Sequence, residues 1–162
     1  MAYMHEVGHA LGLGHFNSNI GIPQNVIYNQ LKYSIMSEKD YAGDGNSTYS
    51  HFKYATTPML NDILAIQYLY GANLNYRTED NVYRWNANST VFETIYDAGG
   101  VDTINASNQL QAVSIDLNPG AWSTIGYSNY YNTDAGKLVY TRNNLAMAYE
   151  VRDALGQVVN YV

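Results

Sequence analysis

HEVGHALGLGH, residues 5–15, holds three histidines, one glutamate and three glycines in eleven positions. On a helix, side chains four positions apart share a face, so His5 and His9 can point at one ion. Glu6 falls beside that face, near the ion without having to bind it. This is the HExxH arrangement, in which two imidazoles hold zinc and the glutamate serves as general base. The pattern continues past the helix. Gly12 can take the positive φ that ends a helix and turns the chain sharply, and that turn can bring His15 back as a third nitrogen ligand.

Three His ligands leave a coordination position for water, the layout of a catalytic rather than a closed structural zinc site. Zinc lowers the pKa of bound water toward ~7 and polarises a carbonyl. Glu6 can then take a proton as water attacks a peptide carbon and deliver it to the leaving amine. The expected reaction is peptide-bond hydrolysis with no covalent enzyme intermediate.

Outward from this stretch, Met4, Val7, Ala10 and Leu11 recur at helical spacing, so residues 1–12 read as a helix. Residues 13–57 are rich in Gly, Asn, Ser and Tyr and read as loops with short helical turns. PMLNDILAIQYLY, residues 58–70, is the clearest helix. Pro58 falls in its first turn, Met59, Ile63, Ile66 and Tyr70 share a face, and Gly71 follows as a cap. Beyond Asn75, the stretches NVYRWNA, VFETIYDA, VDTINAS, AVSIDLN, STIGYS and KLVYTR are short, alternating and bounded by turn residues. They predict short strands. The fold class is therefore α+β, with a boundary near residue 74.

Composition limits the partners. The 162 residues are 46% hydrophobic and 14% charged, which describes a folded chain rather than a disordered one. The net charge is -6, and only eight Lys and Arg are present, unclustered, so nucleic acid is disfavoured. No cysteine is present, which excludes disulfides and thiolate metal sites. No apolar run reaches the length of a membrane span, and the first residues do not have the make-up of a signal peptide. The seventeen tyrosines suit half-buried strand faces.

The extended zinc motif followed by Ser34-Ile35-Met36-Ser37 resembles the metzincin proteases, in which a methionine turn lies beneath the zinc. Alone, Met36 would read as a core methionine. More narrowly, the chain resembles the serralysins, calcium-dependent bacterial zinc proteases with a C-terminal parallel β-roll. Residues 58–63 running on to 65–73 are similar to the helix that closes their catalytic domain. Residues 96–104, YDAGGVDTI, and 115–126, IDLNPGAWSTIG, resemble the start of the roll.

The resemblance implies residues 1–74 as the C-terminal half of a metzincin-like catalytic domain, with zinc helix, Met-turn and closing helix. Residues 75–162 would be the β-rich start of a truncated β-roll region. It implies an RTX-like secreted, extracellular protein without an N-terminal signal peptide, a monomer acting on protein or peptide substrates. It also implies calcium, with carbonyls of Arg77, Glu79 and Asn81 joined by Asp97, Gly99 and Asp102. Independently, Asp97 and Asp102 are hard oxygen donors flanking two glycines, which suits either calcium or an ordinary Gly-Gly turn.

Four features depart from the family. Glu38 stands where serralysins place a tyrosine that can stabilise the oxyanion, and Tyr41 is the nearest tyrosine downstream. Arg152 falls where a calcium-binding glutamate is common. The nonapeptide repeats of the roll are not seen, and the upper half of the catalytic domain is absent, so the chain reads as a fragment. The alternative function is a catalytically impaired, calcium-stabilised binding or structural module. His51 reads as a surface or packing residue, and residues 40–46 as a solvated turn.

Overall fold

The computed structural model describes residues 2–15, 28–37, 55–126, 129–132, 138–141 and 145–148. Glu38, Tyr41, residues 40–46, His51 and Arg152 lie outside them. Among the described residues two helices precede seven short strands: α1 (Ala2–Ala10), α2 (Leu60–Tyr70), β1 (Val82–Tyr83), β2 (Glu93–Ile95), β3 (Thr103–Ile104), β4 (Trp122–Ser123), β5 (Asn129–Asn132), β6 (Leu138–Thr141) and β7 (Leu145–Met147). The mixed α and β composition agrees with the expectation, as does the order of helices before strands.

α1 ends two residues earlier than the periodicity suggested. Its last carbonyls are closed by a Schellman arrangement: Gly12 N–H donates to His9 O at 2.9 Å and Leu13 N–H to Gly8 O at 2.9 Å. Gly12 sits at φ +90°, the left-handed region that arrangement demands. α2 begins at Leu60, so Pro58 precedes the helix and Met59 is its N-cap. Asp62, not Pro58, organises this end, its carboxylate accepting the Met59 N–H at 2.8 Å. Burial pushes the Asp62 carboxyl above its ordinary value, opposed by hydrogen bonds from Ser34, Ile35 and Met59. Gly71 closes α2 as expected, at φ +84°.

The described strands form three small sheets. β1 and β3 pair in parallel, Val82 opposite Thr103. β7 lies between β2, its parallel neighbour, and β4, its antiparallel one, with Ala146 facing both Thr94 and Trp122. β5 and β6 form an antiparallel pair, Asn129 opposite Thr141. Among the described residues parallel and antiparallel pairings coexist. AVSIDLN contributes no strand, only the single bridge Ser114–Thr124.

β7, the LAM stretch, shows no alternation and is not among the stretches expected as strands. All three of its residues are buried, as befits the central strand of a sheet covered on both faces. β5 was missed because Asn129 and Asn132 look like turn punctuation; its ladder to β6 overrides that preference.

Two apolar clusters gather the described core residues. One gathers Tyr83, Val91, Ile95, Ile125, Leu145 and Met147 beneath the sheets. The other joins Ile35, Met36, Ala55 and Met59, with Met4, Leu13, Phe92 and Trp122 packed against it. The second cluster therefore draws on α1, the methionine turn, the start of α2 and the strand region at once. Backbone bonds reinforce the junction, Thr56 N–H to Phe92 O at 3.0 Å and Asn61 N–H to Tyr33 O at 2.9 Å. Lys32 adds a cation–π contact, its Nζ 4.4 Å from the Trp122 ring centre. None of the described helices is long and apolar enough to cross a membrane.

Candidate metal centre

α1 presents His5 and His9 one turn apart, and the Schellman turn at Gly12 returns the chain so that His15 meets them. The three rings converge through the same atom type. His15 Nε2 lies 2.8 Å from His5 Nε2 and 2.9 Å from His9 Nε2. Among the described residues this is the group of His and carboxylate donors close enough to share an ion. His5 and His15 are half-buried and His9 is exposed, so the cluster opens to solvent on one side.

The outer nitrogens explain the orientation. His5 Nδ1 meets Ile35 O at 2.7 Å and His9 Nδ1 meets Leu13 O at 2.9 Å. A carbonyl only accepts, so both Nδ1 atoms carry their hydrogens, and in the neutral rings both Nε2 atoms are left as lone pairs. A proton on His15 Nε2 could serve one of these lone pairs but not both. A divalent cation satisfies all three nitrogens together. Tetrahedral zinc would set the nitrogens ~3.3 Å apart, given Zn–N of about 2.0–2.1 Å. The residues present therefore fit the ion after an opening of roughly half an ångström, and the carbonyl contacts are the outer supports that metal-binding imidazoles need.

Glu6 is exposed on α1 and lies outside the converging donors. Met36 lies beneath the helix, 2% exposed. Its sulfur would sit 2.5 Å from a β-carbon at position 8, so a side chain there would have to displace Met36. An apolar trough of about 630 Å³ adjoins the cluster, lined by Leu13, His15, Met36, Leu64, Tyr68 and Leu69 among others. Nothing near Gly12 would obstruct a side chain, so its requirement is purely conformational. Gly12→Ala should cost about 1–2 kcal/mol through the left-handed backbone, read as a lower melting temperature of the metal-free chain.

The residues implied for calcium lie on two abutting loops. Ala98 N–H donates to Tyr76 O at 3.1 Å, and Val101 N–H to Asp80 Oδ1 at 2.8 Å. Asp102 Oδ1 accepts the Asn81 N–H at 2.9 Å, and the Asn81 carbonyl accepts the Thr103 N–H at 2.9 Å. Asp97 is buried, accepting the Tyr83 hydroxyl and the Gly99 N–H. Arg77 has φ +52°, and its guanidinium lies 5.0 Å from the Tyr83 ring centre. Burial and the Asp97 carboxylate push the Tyr83 phenol up to about 12. The loops are thus brought together, with protein hydrogen bonds holding both aspartates.

Sequence reasoning missed Ile35 and Leu13 as orienting groups. Both act through backbone carbonyls, which leave no trace in side-chain identity. It also passed over Gly8, whose signal is only a glycine inside a helix, normally unfavourable.

No family model matches the chain. Curated proteins do. Serralysin C of Dickeya chrysanthemi is 37% identical over 145 residues, spanning 76% of this chain and 29% of its own length. Serralysin of Proteus mirabilis is 35% identical over 147 residues, 78% of this chain and 29% of its length. Metallopeptidase AprA of Pseudomonas marginalis is 36% identical over 147 residues, 75% of this chain and 30% of its length. The chain thus spans under a third of the length of these relatives.

Proposed function

The chain is a serralysin-type homologue over about three quarters of its length, and from that premise we propose that it carries the zinc-binding part of a metalloendopeptidase acting on protein substrates. The observation that carries this reading is the convergence of three Nε2 atoms, with the Nδ1 atoms of His5 and His9 already committed to carbonyls. The relatives are named as serralysins and metallopeptidases, which supports the same reaction class.

His5, His9 and His15 would hold the ion, and Met36 would floor the site. When bound, zinc supplies Lewis-acid polarisation of a carbonyl and makes nearby water more acidic. The chain's own residues do the rest. Glu6 takes the proton from water as its oxygen bonds to the peptide carbon, then passes it to the amine nitrogen as the C–N bond breaks. Ile35 and Leu13 carbonyls hold two imidazoles in the tautomer that leaves Nε2 facing inward.

The same reading extends to the rest of the chain. Residues 1–74 form the C-terminal half of a catalytic domain, and residues 75–162 the beginning of a calcium-dependent β region, in a secreted monomer. Calcium would be held by carbonyls of Arg77, Glu79 and Asn81, with Asp97, Gly99 and Asp102. The abutting loops support this placement.

Metal analysis tests the central claim. The folded chain should contain about one zinc, and His9→Ala should lose it, because two remaining nitrogens make a much poorer site. Folded protein that takes up no zinc from solution would refute the reading.

A further inference from the structure

We propose that α2 is the outer scaffold of the metal site, with Asp62 and Tyr70 as its positioning residues. This deepens, and rests on, the zinc reading above. Each end of α2 grips a different part of the motif. At its start, Asp62 is 3% exposed and binds the methionine turn. Its Oδ2 accepts the Ile35 N–H at 2.8 Å, and its Oδ1 accepts the Ser34 hydroxyl at 2.6 Å. The Ser34 oxygen in turn accepts the Met36 N–H at 3.0 Å. Residues 34–36 are thereby fixed as a unit. The carbonyl in the middle of that unit, Ile35 O, is the one that meets His5 Nδ1 at 2.7 Å.

At its other end, Tyr70 is the last residue of α2, and its hydroxyl donates to Leu11 O at 3.0 Å. Leu11 belongs to the turn that carries both Leu13 O, the acceptor of His9 Nδ1, and His15 itself. One carboxylate and one phenol, eight residues apart on a single helix, therefore sit just outside the two carbonyls that orient the imidazoles. Neither is a ligand. A rigid helix linking the two supports keeps the ligand halves in register, so that little ordering remains when an ion arrives. Outer partners of metal-binding histidines typically govern affinity by about ten- to hundredfold.

The test uses the 162-residue chain, with zinc dissociation constants from chelator competition, the visible spectrum of the cobalt form, and melting of the metal-free protein. Asp62→Ala should weaken zinc binding by about ten- to hundredfold. Asp62→Asn, whose amide oxygen can still accept two N–H groups, should fall between that variant and the parent. Tyr70→Phe should weaken binding by about three- to tenfold, with a shifted cobalt spectrum. Tyr68→Phe, on the same helix but 88% exposed, should match the parent. If Asp62→Ala fails to fold, Asp62→Asn and Tyr70→Phe decide the matter. Parental zinc affinity and cobalt spectra in both of those folded variants overturn the scaffold role while leaving the zinc reading intact. A parent chain that binds no zinc overturns the zinc reading, and this proposal with it.

Discussion

Glu6→Gln should keep its zinc and lose peptide hydrolysis by about a hundredfold to ten-thousandfold, the range that a positioned general base contributes. The amide matches the carboxylate in shape but has no site for the proton that water must shed. Because Glu6 is exposed and stands outside the converging donors, its replacement should disturb neither the triad nor the packing beneath α1. Cleavage of a fluorogenic peptide or casein, alongside zinc content, separates the two effects. Parent and variant hydrolysing substrate at the same rate would remove Glu6 from the mechanism. A variant that also lost zinc would mean that Glu6 acts as a ligand.

Gly100→Ala should produce the largest loss of stability, on the order of 3 kcal/mol, from backbone strain added to overpacking. Gly100 sits at φ +103°. A β-carbon there would press on the Glu79 carbonyl oxygen, with the Glu79 carbonyl carbon 2.7 Å away and the Asp80 nitrogen 3.1 Å away. These are backbone atoms, so no side-chain rotation relieves the conflict. The melting temperature should drop by roughly 6–12 °C for a chain of this size. Gly99→Ala is the control: its nearest neighbour, Thr78 O, lies at 3.7 Å, an ordinary contact. The same pair tests the calcium proposal. Added calcium should raise the parent's melting temperature through binding to the folded state, and that gain should vanish in Gly100→Ala, where the Glu79 carbonyl is displaced. A Gly100 variant as stable as Gly99→Ala would contradict the close approach itself.

Side-chain identity pointed to the candidate metal site. Imidazoles at positions 5, 9 and 15 and a glycine at 12 are meaningful because helical periodicity and the left-handed turn are local properties. The termination of α2 at Gly71 and the change from helices to strands near residue 75 follow from local pattern in the same way. Strand pairing does not. LAM at 145–147 gave no alternating pattern because its neighbours cover both faces, and NYYN at 129–132 was disguised by residues that favour turns. Register between segments fifty residues apart, such as Glu93 opposite Leu145, has no local signature at all.

The candidate centre was thus legible in the order of a few residues: which atoms can ligate, which can take a proton, and where the backbone can reverse. The assembly around them came from long-range packing. Asp62 beneath the methionine turn, Tyr70 against Leu11, and the carbonyls of Ile35 and Leu13 on two imidazoles are contacts between segments, made by groups that look ordinary in their own neighbourhoods. Periodicity reports which face of an element is apolar. It carries no information on which other element will cover that face, because that choice is made by the free energy of the whole packed chain.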